Sequence, residues 1–211
     1  MVIAGVTIDK RLEKKLVALG VKDSKKLSSK QREKLYKIIE ELANNIVIIR
    51  VQPCRIDSYR AKGINLDKIE AMKMAEIIDM CEGKVYVDSL EQNSKKYKKL
   101  IMSFLQNKNR NLVVENYLDE SIPVVSAASI IAKVERDKAI KEIKKRVGYD
   151  FGVGYPHDKR TISFVKKLLK ENKGKLPTYV RKSWVTAQIL QEESLQRRIK
   201  DFILRKKKKC K

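Results

Sequence analysis

Apolar positions recur along the chain with two periods, and the alternation between them predicts the elements. Short apolar or β-branched runs at Val2 to Ile8, Ile46 to Val51, Lys84 to Ser89 and Leu112 to Glu115 predict four strands. Between and after them the spacing turns helical. Lys10 to Leu19 is a short charged helix closed by Gly20. Leu35, Ile38, Ile39 and Leu42 form a stripe behind Ser28 and Gln31, a capping-box pair. Pro53 to Ile64 shows no stripe and predicts a loop. Asn65 caps a helix carrying Ile69, Met72 and Ile77, and Tyr97, Leu100, Ile101 and Leu105 line a helix begun at Ser94. A long helix runs to about Val147, Asp158 caps another with Ile162, Val165, Leu168 and Leu169 inward, and the last starts near Ser183. Strands alternating with helices predict an α/β fold, a mixed sheet flanked by helices.

Charge changes this picture from a fold to a class of partner. The 211 residues carry 49 Lys and Arg against 26 Asp and Glu, a net charge of +23. Lysine enrichment of a heat-adapted protein would bring matching glutamates, so the excess points to a polyanion, above all nucleic acid. Cys54, Cys81 and Cys210 are scattered without a Cys-x-x-Cys pair and His157 is the only histidine, which argues against zinc and for a reducing cytoplasmic compartment. No apolar run reaches membrane-spanning length, so a soluble protein with no membrane partner is expected.

The candidate chemistry gathers around one stretch. Leu112 to Glu115 leads into a loop carrying Asp119, and the helix that follows opens with small residues and hydroxyls. Ser126, Ser129, Lys133 and Arg136 recur at offsets of three and four and so share a face, while Ile130, Ile131, Val134 and Ile140 form the core stripe. Asp88 ends the preceding strand. Two carboxylates at neighbouring strand ends of an α/β sheet, in a basic protein, suit Mg²⁺ or Mn²⁺ bridging to phosphate. Each acid alone reads equally as a turn or cap residue. Asp23-Ser24-Lys25-Lys26 reads as a phosphate-binding turn or as a solvated loop. Tyr155, between Gly154 and Pro156, is a candidate to stack on a sugar or base, or an ordinary turn aromatic. His157 reads as a surface turn residue and Trp184 as a core anchor.

These segments together resemble ribonuclease HII, in its archaeal branch. The resemblance rests on Val21 to Leu27, on Tyr86-Val87-Asp88-Ser89, and on Asp119 seven residues ahead of Ser126-Ala127-Ala128-Ser129-Ile130-Ile131-Ala132-Lys133. Glu135-Arg136-Asp137, Gly152 to Pro156 and Arg181 to Trp184 continue it, in order, over about Met1 to Ala187. It implies a ribonuclease H-like fold and an Mg²⁺- or Mn²⁺-dependent endonuclease. Such enzymes cut the RNA strand of RNA–DNA hybrids and the junction 5′ of a ribonucleotide embedded in duplex DNA. By motif, Asp88 and Asp119 match the third and fourth metal-binding, catalytic carboxylates. Ser24, Lys25, Ser129 and Lys133 match residues lining the scissile phosphate, and Tyr155 matches the tyrosine that stacks on the junction sugar.

One departure stands out. The family opens with a strand bearing Asp-Glu-Ala-Gly-Arg-Gly, source of the first two carboxylates, and Met1 to Asp9 aligns with the family's second strand instead. Asp9 is a poor substitute. The expectation is a chain begun downstream of that motif, with two of four carboxylates, inactive or nearly so until the strand is restored. A non-catalytic nucleic-acid-binding protein is the alternative. By domain, residues 1–165 are expected to form the ribonuclease H-like core without its first strand, 166–195 a helical extension, and 196–211 a partner-binding box with a basic tail. In that box Gln196, Ile199 and Phe202 resemble a sliding-clamp-binding motif, with Ile203 in place of its last aromatic. The other reading of this stripe is a helix docked on the body.

Overall fold

The computed structural model describes residues 1–21 and 27–209, with side chains through residue 197. Two compact units emerge: Met1–Val51 with Gly63–Lys138, and Gln52–Lys62 with Ala139–Lys211.

The first unit holds all four predicted strands. β1 (Val2–Thr7) pairs antiparallel with β2 (Asn45–Arg50), Val2 facing Arg50 and Thr7 facing Asn45. β3 (Val85–Asp88) pairs parallel with β4 (Leu112–Glu115), Asp88 beside Glu115. The expected mixed sheet is therefore present as two two-stranded ladders, and among the described residues β1 and β3 each have a single strand neighbour. A single 3-10 turn (Lys10–Leu12), capped by Asp9, precedes α1 (Glu13–Ala18). Asp9 is clamped by Arg11 through a 2.6 Å ion pair, which leaves it a local cap. α2 (Ser29–Leu42) opens with the predicted capping box: the Ser28 hydroxyl accepts from the Gln31 backbone N–H at 3.3 Å, and the Gln31 side-chain Oε1 accepts from the Ser28 N–H at 2.8 Å.

Each ladder has a core of its own. Leu16, Val21, Leu35, Ile39, Ala127, Ile130, Ile131 and Val134 bury one face of the β1–β2 pair. Ala71, Ala75, Ile78, Tyr97, Ile101 and Leu105, with Val87, Leu112 and Val114, form the other around β3 and β4.

Three elements differ from the sequence reading. Pro53 to Ile64 is not a loop: Pro53–Ala61 is helix α3, with proline at its first turn, where a missing N–H costs nothing. Its stripe went unseen because only Ile56 is buried. α4 (Leu66–Asp79), capped by Asn65, and α5 (Ser94–Phe104) follow expectation. Asp119, expected in a loop, lies in the one-turn helix α6 (Leu118–Ser121), ahead of α7 (Pro123–Val147). Ser126, expected on the functional face of α7, is buried among core residues, and its hydroxyl has no hydrogen-bond partner among the described residues.

In the second unit, α8 (Lys159–Glu171) and α9 (Val185–Lys209) enclose Phe164, Val165, Leu168, Leu169, Ala187 and Leu190, with Trp184 partly buried against them. Asp57 of α3 accepts the backbone N–H groups of Lys182 and Ser183 at 2.9 and 2.8 Å, tying α3 to the approach of α9. Among the described residues no helix is long and apolar enough to cross a membrane.

Candidate functional site

The parallel pair β3–β4 brings the segments that carry the two acids side by side. Parallel strands run their carboxyl ends to the same edge, so the chains leaving Asp88 and Glu115 emerge side by side. The Ser89 N–H extends the ladder to the Glu115 carbonyl at 2.8 Å. The Asn116 side-chain amide donates to the carbonyls of Glu91, at 2.9 Å, and Ser89, at 3.4 Å, stitching the two exits. Tyr117 then turns in the left-handed conformation (φ 61°) and is 68% exposed. That turn starts α6 and aims the Leu118 N–H at the Asp88 carboxylate, 3.0 Å away. Asp119, the next residue, is 2% exposed. The Asp88 carboxylate thus meets the backbone amide of the residue before Asp119, and of the two sequence-predicted acids Asp88 is partly buried and Asp119 fully.

The small-residue start of α7 faces the same corner. Ser129 lines a cavity together with Asp88, and both belong to the first unit. Lys133 lies one turn further along α7 and is half-buried. Ser24 and Lys25 lie outside the described residues. Tyr155 belongs to the second unit, 46% exposed and stacked on His157 with ring centroids 5.5 Å apart.

The loop that carries Tyr155 is closely tied. Asp158 accepts the N–H of Val153 at 2.6 Å and that of Arg160 at 2.9 Å. The Thr161 hydroxyl donates to the Phe151 carbonyl at 2.8 Å and accepts from the Gly154 N–H at 3.0 Å. Bonding from the Val153 N–H, then Arg160 and Thr161, holds the Asp158 carboxyl below its ordinary range. Gly152 sits at φ 84°, and a Cβ there would run into the Asp158 carboxylate. No pattern in the sequence marked Thr161.

A second network escaped sequence reasoning because its members are far apart in the chain. Glu135, 5% exposed, is ion-paired to Arg50 and to Lys138, the latter at 2.8 Å, and Lys138 lies 4.0 Å over the Tyr36 ring. Burial alone would raise the Glu135 carboxyl. Hydrogen bonds from Lys138, Arg50 and Tyr36 outweigh it and hold the group at about 2. Arg32 and Arg136 both bridge to Asp137, at 3.4 and 3.1 Å. Glu135 and Asp137 of the Glu135-Arg136-Asp137 triplet thus fasten α7 to β2 and α2.

The corner's donors are hard carboxylate oxygens, which suit Mg²⁺ or Mn²⁺. Their number is small: among the described residues no group of three or more His, Cys, Asp or Glu stands close enough to hold a metal ion. In the second unit Gln196 is exposed on α9, while the side chains of Ile199 and Phe202 lie outside the described residues.

A family profile described as Ribonuclease HII matches residues 1–187. A ribonuclease HII of Caldivirga maquilingensis is 46% identical over 170 residues, covering 80% of this chain and 78% of the relative. Among solved structures, the ribonuclease H2 from Pyrococcus horikoshii superposes with a TM-score of 0.79 at 32% identity, over 92% of this chain and 99% of that one. The ribonuclease HII of a PCNA:RNase HII complex from Archaeoglobus fulgidus gives 0.78 at 35%, over 90% and 88%. Bst-RNase HIII in complex with Mn²⁺, 17% identical with a TM-score of 0.73, shares the fold over 92% of this chain and 64% of that one.

Proposed function

Because the chain belongs to the ribonuclease HII family of ribonuclease H-type endonucleases, we propose that it cuts the RNA strand of RNA–DNA hybrids and the junction 5′ of a ribonucleotide embedded in duplex DNA. The observation that carries this reading is the placing of Asp88 at the carboxyl end of β3 and Asp119 just beyond that of β4, with the Leu118 N–H beside Asp119 bonded to the Asp88 carboxylate. Bound Mg²⁺ or Mn²⁺ would activate water and stabilise the leaving oxygen of the phosphodiester. Asp88 and Asp119 would hold the ion from the protein side. Ser129 and Lys133 on α7 fit contacts to the substrate backbone, a hydroxyl and a cation one turn apart. Tyr155, exposed on an ordered loop, fits stacking on the sugar at the junction, and Ser24 and Lys25 are assigned to phosphate by motif alone. The mesh of cations, net +23, favours a polyanionic substrate. A cytoplasmic setting fits a nuclease of this kind.

Two carboxylates fall short of the four that the family's motifs imply. The alternative is a nucleic-acid-binding protein that keeps the fold without turnover. A duplex with one embedded ribonucleotide, incubated with Mn²⁺, separates the two. Residues 1–211 alone are expected to cut slowly or not at all, and a chain carrying an Asp-Glu-Ala-Gly-Arg-Gly strand ahead of Met1 to cut at least a hundredfold faster. Robust cleavage by residues 1–211 would reject the need for further acids. Tight binding with no cleavage by either chain would establish the binder.

Gln196, Ile199 and Phe202 complete the proposal as a sliding-clamp contact. Its support is the box spacing, the exposure of Gln196, and the relative that is seen in complex with PCNA. Fluorescence titration of a peptide covering residues 191–211 against the clamp tests it, and no saturable binding would refute it.

A further inference from the structure

Two large apolar side chains stand in water at the carboxylate corner. Leu90, two residues past the end of β3, is 58% exposed, and Tyr117, two residues past the end of β4, is 68% exposed. The exits that carry them are the pair stitched together at Ser89 and Asn116, within the first unit. Tyr117 is also the one aromatic residue at positive φ among the described residues (φ 61°, ψ 28°). A bulky side chain is an outlier there, because glycine, and to a lesser degree asparagine, adopts that backbone at lower cost. The flanking bonds enforce it. Asn116 is tied to the carbonyls of Ser89 and Glu91, the Leu118 N–H is held by Asp88, and the Tyr117 carbonyl accepts from the Glu120 N–H at 3.1 Å. The turn does not account for a tyrosine, since a smaller residue would serve it better. Nor does the core, since the ring lies mostly in water.

We propose that Tyr117, supported by Leu90, packs its ring against the sugar of a nucleotide flanking the phosphate held at the corner. The inference rests on the nuclease reading above and adds to it a grip on the strand being cut. Tyr155, the tyrosine matched by motif, belongs to the second unit, so Tyr117 is a separate contact. In a duplex the faces of the bases are covered by their neighbours, and a side chain that approaches the backbone meets sugars and phosphates. The C–H face of a sugar suits an aromatic ring, which presents an apolar body with a polar tip. The corner carries two acids, so an apolar grip beside them adds no further repulsion toward a phosphate. Strain retained at the rim of a site, where the surroundings over-determine the backbone, fits a side chain with a task at that surface. The same rigidity means that little freedom is lost when the substrate arrives.

Fluorescence anisotropy of the full chain with a labelled DNA duplex containing one embedded ribonucleotide tests the contact, alongside denaturant midpoints. Tyr117→Gly removes the ring and relieves the backbone, so the expected changes have opposite signs: a higher midpoint and an affinity at least fivefold lower. The slope of affinity with salt is expected to match that of the unaltered chain, because no phosphate-neutralising cation is lost. Tyr117→Phe keeps the ring and is expected to restore the affinity, and Leu90→Ser to weaken binding at least twofold. A three-carbon spacer in place of the nucleotide on one or other side of the junction phosphate removes the sugar. Where it costs the unaltered chain at least fivefold, it is expected to cost Tyr117→Gly less than twofold. Unchanged affinity of Tyr117→Gly overturns the proposal. So does lower affinity with a lower midpoint, which would make the ring structural. A loss in Tyr117→Phe equal to that in Tyr117→Gly would put the contact on the hydroxyl and overturn it too. No binding of the duplex by the unaltered chain would refute the nuclease reading itself, and this contact with it.

Discussion

The carboxylate corner and the tyrosine loop are fastened in opposite ways. Asp88 and Asp119 are withdrawn from water, Asp119 almost wholly, and the left-handed turn at Tyr117 brings the Leu118 N–H onto the Asp88 carboxylate. Tyr155 is left in water, and the loop beneath it is fixed by four side-chain hydrogen bonds from Asp158 and Thr161. A carboxylate that is to hold an ion needs a low-dielectric setting more than many bonds, because the ion itself supplies the final orientation. A stacking aromatic needs the reverse: a rigid base and an open face, so that little freedom is lost when the substrate arrives.

The contrast predicts different kinds of damage. The largest effect is expected from Asp88→Asn or Asp119→Asn in the strand-restored chain. Loss of a metal ligand removes several kcal/mol of transition-state stabilisation, about a thousandfold in kcat, with the melting temperature within a few degrees. A fall in KM alone would contradict the assignment. Tyr155→Ala comes next. Stacking on a base is worth roughly 1–3 kcal/mol, so substrate binding should weaken at least fivefold while kcat at saturation changes less. Gly152→Ala should reproduce much of that loss by displacing Asp158, although it leaves the tyrosine in place.

A smaller expected effect falls on stability and spares the chemistry. Glu135→Gln leaves Arg50 and Lys138 without their carboxylate and should cost about 2 kcal/mol, read from denaturant midpoints. The sign with pH follows from the depressed carboxyl. Folded Glu135 titrates near 2, against an ordinary 4.5, so the unfolded chain binds the proton more readily. Its contribution is complete above about pH 4.5 and disappears as the pH falls toward 2. The melting curves of the wild type and Glu135→Gln should therefore converge in acid.

Local order was largely legible in the sequence. The Ser28–Gln31 box, the Asn65 and Asp158 caps and the four strands depend on neighbours within a few residues, and each lies where its pattern placed it. α3 was not legible, because a helix that buries only Ile56 has no stripe, and Pro53 at its first turn was the remaining signal. Strand pairing was not legible either. Which strands pair is decided by contacts between residues far apart in the chain, Val2 with Arg50 and Val85 with Leu112, which no periodicity within a strand encodes. Of the site, Asp88 and Asp119 were visible as acids at strand ends. The link through Leu118 was not, since it depends on the Tyr117 turn. The Glu135 cluster joins positions 36, 50, 135 and 138 and leaves no local trace.

The register of β1 also bears on how the chain is made. Its first contact, Thr7 with Asn45, closes only after the whole of α1 and α2 has been synthesised, and Val2 waits for Arg50. At about 5–20 residues per second, the 38 residues from Thr7 to Asn45 take several seconds to be made, and over that interval the apolar run Val2–Thr7 lacks β2. The charged helices that emerge directly behind it, with Lys14, Lys15, Lys30 and Lys34 among their residues, repel like copies on neighbouring nascent chains. That like charge disfavours contact between neighbouring nascent chains while β1 waits for its partner strand.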